Sequence, residues 1–354
     1  MPCRTTGHSD RPSGRHTKAS LNICSLNLNG RGGPVGPQNC KWNEINQLVR
    51  EDRIGLLCLQ ETHLSADDSD TVKKLYGRCL AIWNSPSTTA SSQQGVAIVL
   101  NRELVDTANV HFQVLVPGRA ALLRLHWHAE KRLTVLNVYA PNAPRDNAAF
   151  WQLLLSMAER GKYQTPDILA GDFNIVEEAI DRLPAKEDNI AAVTSFRDLL
   201  RRFRLHDGWR TSEPTRKEYT FPQRGSLSCS RLDRIYASMN LINSSHTWTI
   251  RATSVHTDHK LVSAALTTPN SPFIGRGRWT MPLHLLSDVQ FMQDASALGK
   301  TAMDRMKTLT DDTTRTPGYS IQHIHAAFKR DIQTLARQRL RVKTPKLAAE
   351  IKRL

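Results

Sequence analysis

Asp167-Ile168-Leu169-Ala170-Gly171-Asp172-Phe173-Asn174 is a short apolar strand that ends on polar residues. The apolar run is of the kind a sheet buries, and the end of a buried strand is where a rigid scaffold can aim side chains into a cleft. Asp172 and Asn174 are one residue apart, so in an extended or turn segment both side chains can point the same way. Alone, the stretch fits an Asx turn after a strand better, with no chemistry attached. Recurrence decides between the two. Five further segments share the design: 25–30 (Ser-Leu-Asn-Leu-Asn-Gly), 58–62 (Cys-Leu-Gln-Glu-Thr), 137–142 (Asn-Val-Tyr-Ala-Pro-Asn), 231–234 (Arg-Leu-Asp-Arg) and 257–259 (Thr-Asp-His).

Outward from this stretch, short apolar runs predict strands at 21–27, 54–59, 96–100, 121–127, 133–139, 167–170, 231–237 and 260–264. Most are rich in Val, Ile and Leu, as buried strands are. Apolar residues recurring at three and four positions predict helices at 42–50, 147–159 and 190–203. Residues 20–267 therefore read as one mixed α/β domain. Residues 1–19 are polar and basic without periodic apolar positions, the composition of a disordered, solvated tail. Pro269, Pro272, Gly275 and Gly277 interrupt the pattern, so 268–354 reads as a linker followed by a basic helical extension. Within it, 321–340 places Ile321, Ile324, Phe328, Ile332 and Leu335 on one helical face and leaves Lys329, Arg330, Arg337 and Arg339 to the others.

The 354 residues carry 48 Lys and Arg against 33 Asp and Glu, a formal charge of +15. Such a surplus favours a polyanionic partner, with nucleic acid ahead of an acidic membrane surface. Hydrophobic residues at 40% and charged residues at 23% argue against wholesale disorder and fibrous repeats. The amino terminus lacks an apolar signal region and no run of about 18 apolar residues occurs, so neither secretion nor a membrane span is expected. The 6 cysteines are scattered without a CxxC pair, which fits a reducing intracellular compartment.

Hydrolysis of a phosphodiester requires a hard cation, a group that activates water, and donors for the phosphate oxygens. The six segments hold all three. Mg²⁺ takes oxygen ligands and only one or two protein carboxylates, so Glu61 with Asn29 or Asp258 would suffice, and no Cys/His zinc cluster competes. Asp172 is the candidate activator of water and Asn174 a donor to the phosphate. His259 can donate as a cation if a carboxylate raises its pKa, and Asp233 is the candidate carboxylate. Each residue has an ordinary alternative. Asp233 could pair with Arg231 or Arg234, His259 is one of 13 histidines, Glu61 could simply follow a buried strand, Tyr139 could be core, and Asn27 and Asn29 could belong to a glycine-rich loop. The conjunction favours chemistry.

In this order and spacing the segments resemble the endonuclease/exonuclease/phosphatase superfamily, which includes deoxyribonuclease I, exonuclease III and the abasic-site endonucleases. The resemblance covers about 21–267. It implies a four-layer α/β sandwich, two packed mixed β-sheets flanked by helices, with the cleft at the strand ends. It also implies that Glu61 ligates Mg²⁺, with Mn²⁺ as the alternative ion, that Asp172 activates water, and that His259, oriented by Asp233, supports the phosphate with Asn174. Asn27 and Tyr139 complete the catalytic set, and Asn29 and Asp258 the metal set, although family members often carry Asp where this chain has Asn29. Gln60-Glu61-Thr62-His63, 231–236 (Arg-Leu-Asp-Arg-Ile-Tyr) and 257–262 (Thr-Asp-His-Lys-Leu-Val) are most similar to the endonuclease domain of LINE-type (non-LTR) retrotransposons. Residues 275–284 and the basic helix look like the connector that joins such a domain to a reverse transcriptase. That likeness implies a nuclear enzyme that nicks DNA, leaves a 3′-hydroxyl and works with a reverse transcriptase encoded downstream. The alternatives are abasic-site repair, hydrolysis of a small phosphoester, and a non-catalytic DNA-binding remnant. Lys260-Leu261 stands where abasic-site enzymes tend to have Cys-Pro.

Overall fold

A computed structural model describes residues 19–35, 40–88, 94–128, 131–223, 225, 227–272, 281–309, 319–351 and 353. Except for Ala19, the expected tail lies outside the described residues, as does 275–280 of the expected connector. Along the chain come β1 (Leu21–Asn27), α1 (Lys41–Glu51), β2 (Leu56–Gln60), α2 (Ala66–Tyr76), β3 (Leu80–Ser85), β4 (Val96–Asn101), β5 (His111–Val116), β6 (Ala120–His126), β7 (Arg132–Tyr139), α3 (Pro144–Glu159) and β8 (Ile168–Asp172). Then follow β9 (Arg182–Leu183), α4 (Ile190–Phe203), β10 (Leu205–Asp207), α5 (Gly208–Ser212), β11 (Phe221–Pro222), β12 (Cys229–Ser230), β13 (Asp233–Ser238), α6 (Met239–Ser244), β14 (His246–Arg251) and β15 (Leu261–Leu266). A separate compact unit begins at Gly275 and holds α7 (Val289–Lys307) and α8 (Ile321–Ile351).

One six-stranded sheet runs β14-β15-β1-β2-β4-β3 and the other β10-β13-β8-β7-β6-β5, while β9, β11 and β12 form a small third sheet. Each large sheet is mixed, with one parallel pair at its centre, β1/β2 and β7/β8. Alternation along the strands sorts the side chains between layers. Ile23 joins Leu56, Ile98, Leu123, Val135, Ile168, Ile235 and Val262 in the core between the sheets. Its neighbours Cys24 and Leu26 pack with Trp42, Ile45 and Leu48 of α1 and with Val72 of α2. On the second sheet, Leu136, Val138 and Leu169 pack with Phe150, Trp151 and Leu154 of α3 and with Phe196 and Leu199 of α4. Each such side chain contributes about 1.5–3 kcal/mol through burial. The result is the four-layer α/β sandwich expected, helices outside and two sheets within.

Register brings the polar strand ends together. Asn27 lies opposite Gln60 on β2, Tyr139 opposite Asp172, and Asp172 opposite Asp233. Because β15 is antiparallel to β1, the residues just before Leu261 lie near the end of β1. Gly171 is required here: a Cβ on it would lie 1.9 Å from the Val138 carbonyl oxygen, so only glycine lets β8 approach β7 this closely.

Four strands of the large sheets, β3, β5, β10 and β14, and the helices α2, α5, α6 and α7 add to the expected elements. α2 opens on a capping box, in which Ser65 Oγ accepts from Asp68 N and the Asp68 carboxylate accepts from Ser65 N. Residues 268–272, expected in the linker, stay with the first unit. Thr268 N donates to Ser271 Oγ at 2.9 Å, Thr268 Oγ1 lies 3.0 Å from His128 Nε2, and Ala19 N donates to the Pro272 carbonyl at 2.7 Å. In the second unit, Leu285, Phe291 and Ala336 form a small core. Arg339, which the helical pattern had assigned to a polar face, pairs instead with Asp288 at 2.9 Å. Among the described residues no helix is long and apolar enough to cross a membrane.

Candidate active site

Asn27 is the last residue of β1, on the face toward the second sheet, and is fully buried. Its amide nitrogen donates to Glu61 Oε1 at 2.9 Å and to Asp172 Oδ2 at 2.8 Å, tying together carboxylates from the two sheets. Its Oδ1 accepts from Asn29 N at 2.8 Å, which turns the chain out of the strand. Beneath it the intersheet core becomes polar: Gln60 Nε2 donates to Asn137 Oδ1 at 2.7 Å, and Asn137 Nδ2 donates to the carbonyls of Leu59 and Ala97. Buried amides persist only when satisfied, and this network fixes the spacing of the sheets below the cleft.

Asp172 is 1% exposed. Burial, and then the neighbouring Asp233 charge, raise its pKa above the usual carboxylate range, while His259 and the Asn27 and Asn174 donors oppose the rise. Asn174 N donates to Asp172 Oδ1 at 3.0 Å, so the Asx turn is real and also places Asn174 beside the carboxylate. Part of the Asn174 amide is committed, donating to the Ala140 carbonyl at 2.8 Å. Asn29, Glu61 and Asn174 all stand at left-handed φ of 49°, 48° and 52°, each just beyond its strand. For Glu61 that conformation is strained, and such strain concentrates at functional sites.

His259 Nδ1 lies 2.8 Å from Asp233 Oδ2, with both side chains almost fully buried. Burial lowers the imidazole pKa, but the Asp233 carboxylate outweighs it and raises the value to about 9. The arginines flanking Asp233 have other partners. Arg231 pairs with Asp181 at 2.6 Å and Asp207 at 2.7 Å, and Arg234 stands 3.6 Å from Glu177. Asp233 Oδ1 is buried without a hydrogen-bond partner among the described residues. Burial, followed by the neighbouring Glu61 and Asp172 charges, raises the pKa of Tyr139, which keeps its hydroxyl protonated. Asn29 Nδ2 donates to Asp258 Oδ1 at 2.9 Å on the exposed rim.

Thus the structure joins Asn27, Glu61, Asp172 and Asn174 by hydrogen bonds, sets Tyr139 beside them and the Asp233–His259 pair within 4.8 Å of Asp172, and leaves Asn29 and Asp258 at the edge. Residues not singled out in the sequence complete it. Thr220 Oγ1 accepts from Leu232 N and Asp233 N, and its carbonyl accepts from Lys260 N, so one threonine holds both sides of the Asp233–His259 pair. Phe221 packs its ring on His259 with centroids 4.7 Å apart. Arg119 donates to the Tyr139 carbonyl at 3.1 Å and lies over the Tyr139 ring. None of these carried a signal, because Thr220 and Phe221 stand at the start of a hairpin whose strands are two residues each, too short for a pattern, and Arg119 occupies a turn.

Two donor sets could hold a cation. Asp172, Asp233 and His259 offer ligand atoms within 4.8 Å of one another. In that set, however, the imidazole nitrogen faces Asp233 and the ring is cationic below about pH 9, which suits a proton donor. Glu61, Asn29 and Asp258 present only oxygen ligands, the set a hard divalent ion prefers.

The family model described as "Endonuclease/Exonuclease/phosphatase family" matches residues 24–259. The "Transposon TX1 uncharacterized 149 kDa protein" of Xenopus laevis is 28% identical over 276 residues, 77% of this chain and 20% of that protein. The chain thus spans a fifth of the curated relative's length. Among solved structures, AP endonuclease LMAP from Leishmania major aligns with a TM-score of 0.60 at 17% identity, over 71% of this chain and 89% of that one. The endonuclease domain of TRAS1, a telomere-specific non-LTR retrotransposon, aligns with a TM-score of 0.50 at 14% identity, over 70% and 98%. At these identities the structural likeness is one of fold.

Proposed function

Because the chain belongs to the endonuclease/exonuclease/phosphatase family, we propose that it is a Mg²⁺-dependent endonuclease that nicks DNA, leaves a 3′-hydroxyl, and derives from a non-LTR retrotransposon. The observation that carries this is the Asn27 amide joining Glu61 to Asp172, beside the Asp233–His259 pair at 2.8 Å. A cation-binding acid, a raised-pKa acid and a cationic donor thereby converge on one cleft.

Glu61, Asn29 and Asp258 would hold the divalent ion, Mg²⁺ or alternatively Mn²⁺, which when bound supplies positive charge to the phosphate oxygens. Asp172 accepts the proton of the attacking water, and its raised pKa makes it a stronger base than an exposed carboxylate. Asn27 orients that carboxylate and leaves its other oxygen to Asn174 N. His259, as an imidazolium held by Asp233, donates to a phosphate oxygen as charge builds, aided by the Asn174 amide. Tyr139 orients Glu61 with its protonated hydroxyl.

DNA as substrate is supported by the +15 charge and by the TX1 and TRAS1 relatives. The much greater length of the TX1 relative supports a reverse transcriptase as a downstream partner, and the substrate supports a nuclear location. Supercoiled plasmid with Mg²⁺ tests the activity, with EDTA as control. Nicked circles should form, and Asp172→Asn should slow their formation by about 10²–10⁴-fold. Plasmid left intact under all conditions counts against the activity, and nicking that survives Asp172→Asn sinks the role given to that residue. A duplex cut far faster when it carries an abasic site would turn the conclusion toward repair.

A further inference from the structure

Lys41 is the first residue of α1 and only 7% exposed. Nothing about the helix calls for it, because a cation at a helix amino terminus opposes the helix dipole. No carboxylate pairs with it among the described residues; its ammonium is satisfied by backbone instead. Nζ donates to the Leu28 carbonyl at 2.6 Å and the Gly30 carbonyl at 2.7 Å, the two carbonyls that flank Asn29. From the other side, Leu28 N donates to the Gln60 carbonyl and Gly30 N to the Glu61 carbonyl, both at 2.9 Å. The loop between them turns through the left-handed region, with Asn29 at φ 49° and Gly30 at φ 85° in succession, angles that asparagine tolerates and glycine adopts freely. Burial lowers the pKa of Lys41, and Glu44, Asp258 and Glu61 are the charges that hold it up, which places the ammonium within the field of two acids of the cleft.

We infer that Lys41 is a positioning residue for the cation site: its ammonium pins the 28–30 loop so that Asn29 is presented to Asp258 beside Glu61 before any ion arrives. A fixed positive charge also offsets the repulsion of those acids in the ion-free protein. The inference rests on Glu61, Asn29 and Asp258 being the site that holds the divalent ion.

The test titrates the 354-residue chain and its Lys41→Met variant with Mn²⁺, following free ion by electron paramagnetic resonance. Lys41→Met should weaken Mn²⁺ binding by about 10–100-fold, the usual effect of removing a support behind a ligand. In plasmid nicking, the half-saturating metal concentration should rise in parallel, while kcat at saturating metal and KM for DNA stay near wild type, a split that general destabilisation would not produce. Lys41→Arg, which keeps charge and donors, should recover most of the affinity. A folded Lys41→Met variant with wild-type Mn²⁺ affinity overturns the inference. If that variant does not fold, Lys41→Gln decides, since its amide is one bond short of the two carbonyls and lacks the charge: weakened Mn²⁺ binding supports the inference and wild-type binding overturns it. Wild-type protein that binds no Mn²⁺ at all refutes the cation site itself, a result distinct from either.

Discussion

The hydrogen bond between Asp233 and His259, 2.8 Å long and almost free of solvent, makes the cleft sensitive to pH. The folded pKa of His259, about 9, stands above its ordinary 6.5. Below 6.5 the ring is protonated in folded and unfolded chains alike, so the stabilisation from the pair is fully present; it is lost as pH rises through about 9. Nicking that depends on the imidazolium should therefore show an alkaline limb near pH 9. Asp233→Asn removes the charge that raises the pKa and should move that limb downward, because burial alone lowers it. A rate–pH profile checks this, and an unmoved limb would mean that Asp233 does not set the protonation of His259. Glu61, Asp172, Asp233 and His259 were legible in the sequence because each is a reactive type at the end of an apolar run. Thr220 and Lys41 were not, and Gln60 and Asn137, though they lie within two of the six segments, carried no role of their own. They act by hydrogen bonds to groups distant in sequence, and neither an amide nor a lysine announces its partner.

The parallel pair β7/β8 carries Tyr139 and Asp172 in register, and Gly171 allows that pairing. Gly171→Ala forces a methyl carbon toward the Val138 carbonyl, where a Cβ would sit at 1.9 Å. The cost should be about 3 kcal/mol or more, seen as a lower midpoint in urea unfolding. Nicking should fall with it, since Asp172 is the next residue. An alanine variant of wild-type stability would mean that the two strands part more easily than this contact implies. The central strands were legible because both of their faces are buried, which leaves a nearly continuous apolar run. β5 and β14 were not, since β5 is an edge strand with mostly exposed or half-buried residues and β14 is only partly buried. α2 has only Ser69 and Val72 buried, too thin an apolar stripe for periodicity to show, although its Ser65–Asp68 cap was present in the sequence.

Across the whole molecule, a charge of +15 predicts DNA binding dominated by phosphate contacts. Raising salt from about 50 to 200 mM should weaken that binding by about 10³-fold or more, as six or more phosphate contacts would require. Residues 275–354, richer in Lys and Arg than in Asp and Glu, should account for part of this. A chain ending at Ile274 should show a shallower salt dependence in a binding titration, and an unchanged slope would show that the second unit contributes no phosphate contacts. The sequence by itself determined the α/β class, the central strands and which residues are candidates for the site, because local apolar runs and side-chain chemistry are written residue by residue. Only the tertiary structure decided that one asparagine amide joins carboxylates from two sheets, that Asp233 serves His259 while its flanking arginines serve other acids, and that a buried lysine holds the first loop. Those outcomes depend on sheet register and on which carbonyls are left without partners, and both are settled only when distant strands meet.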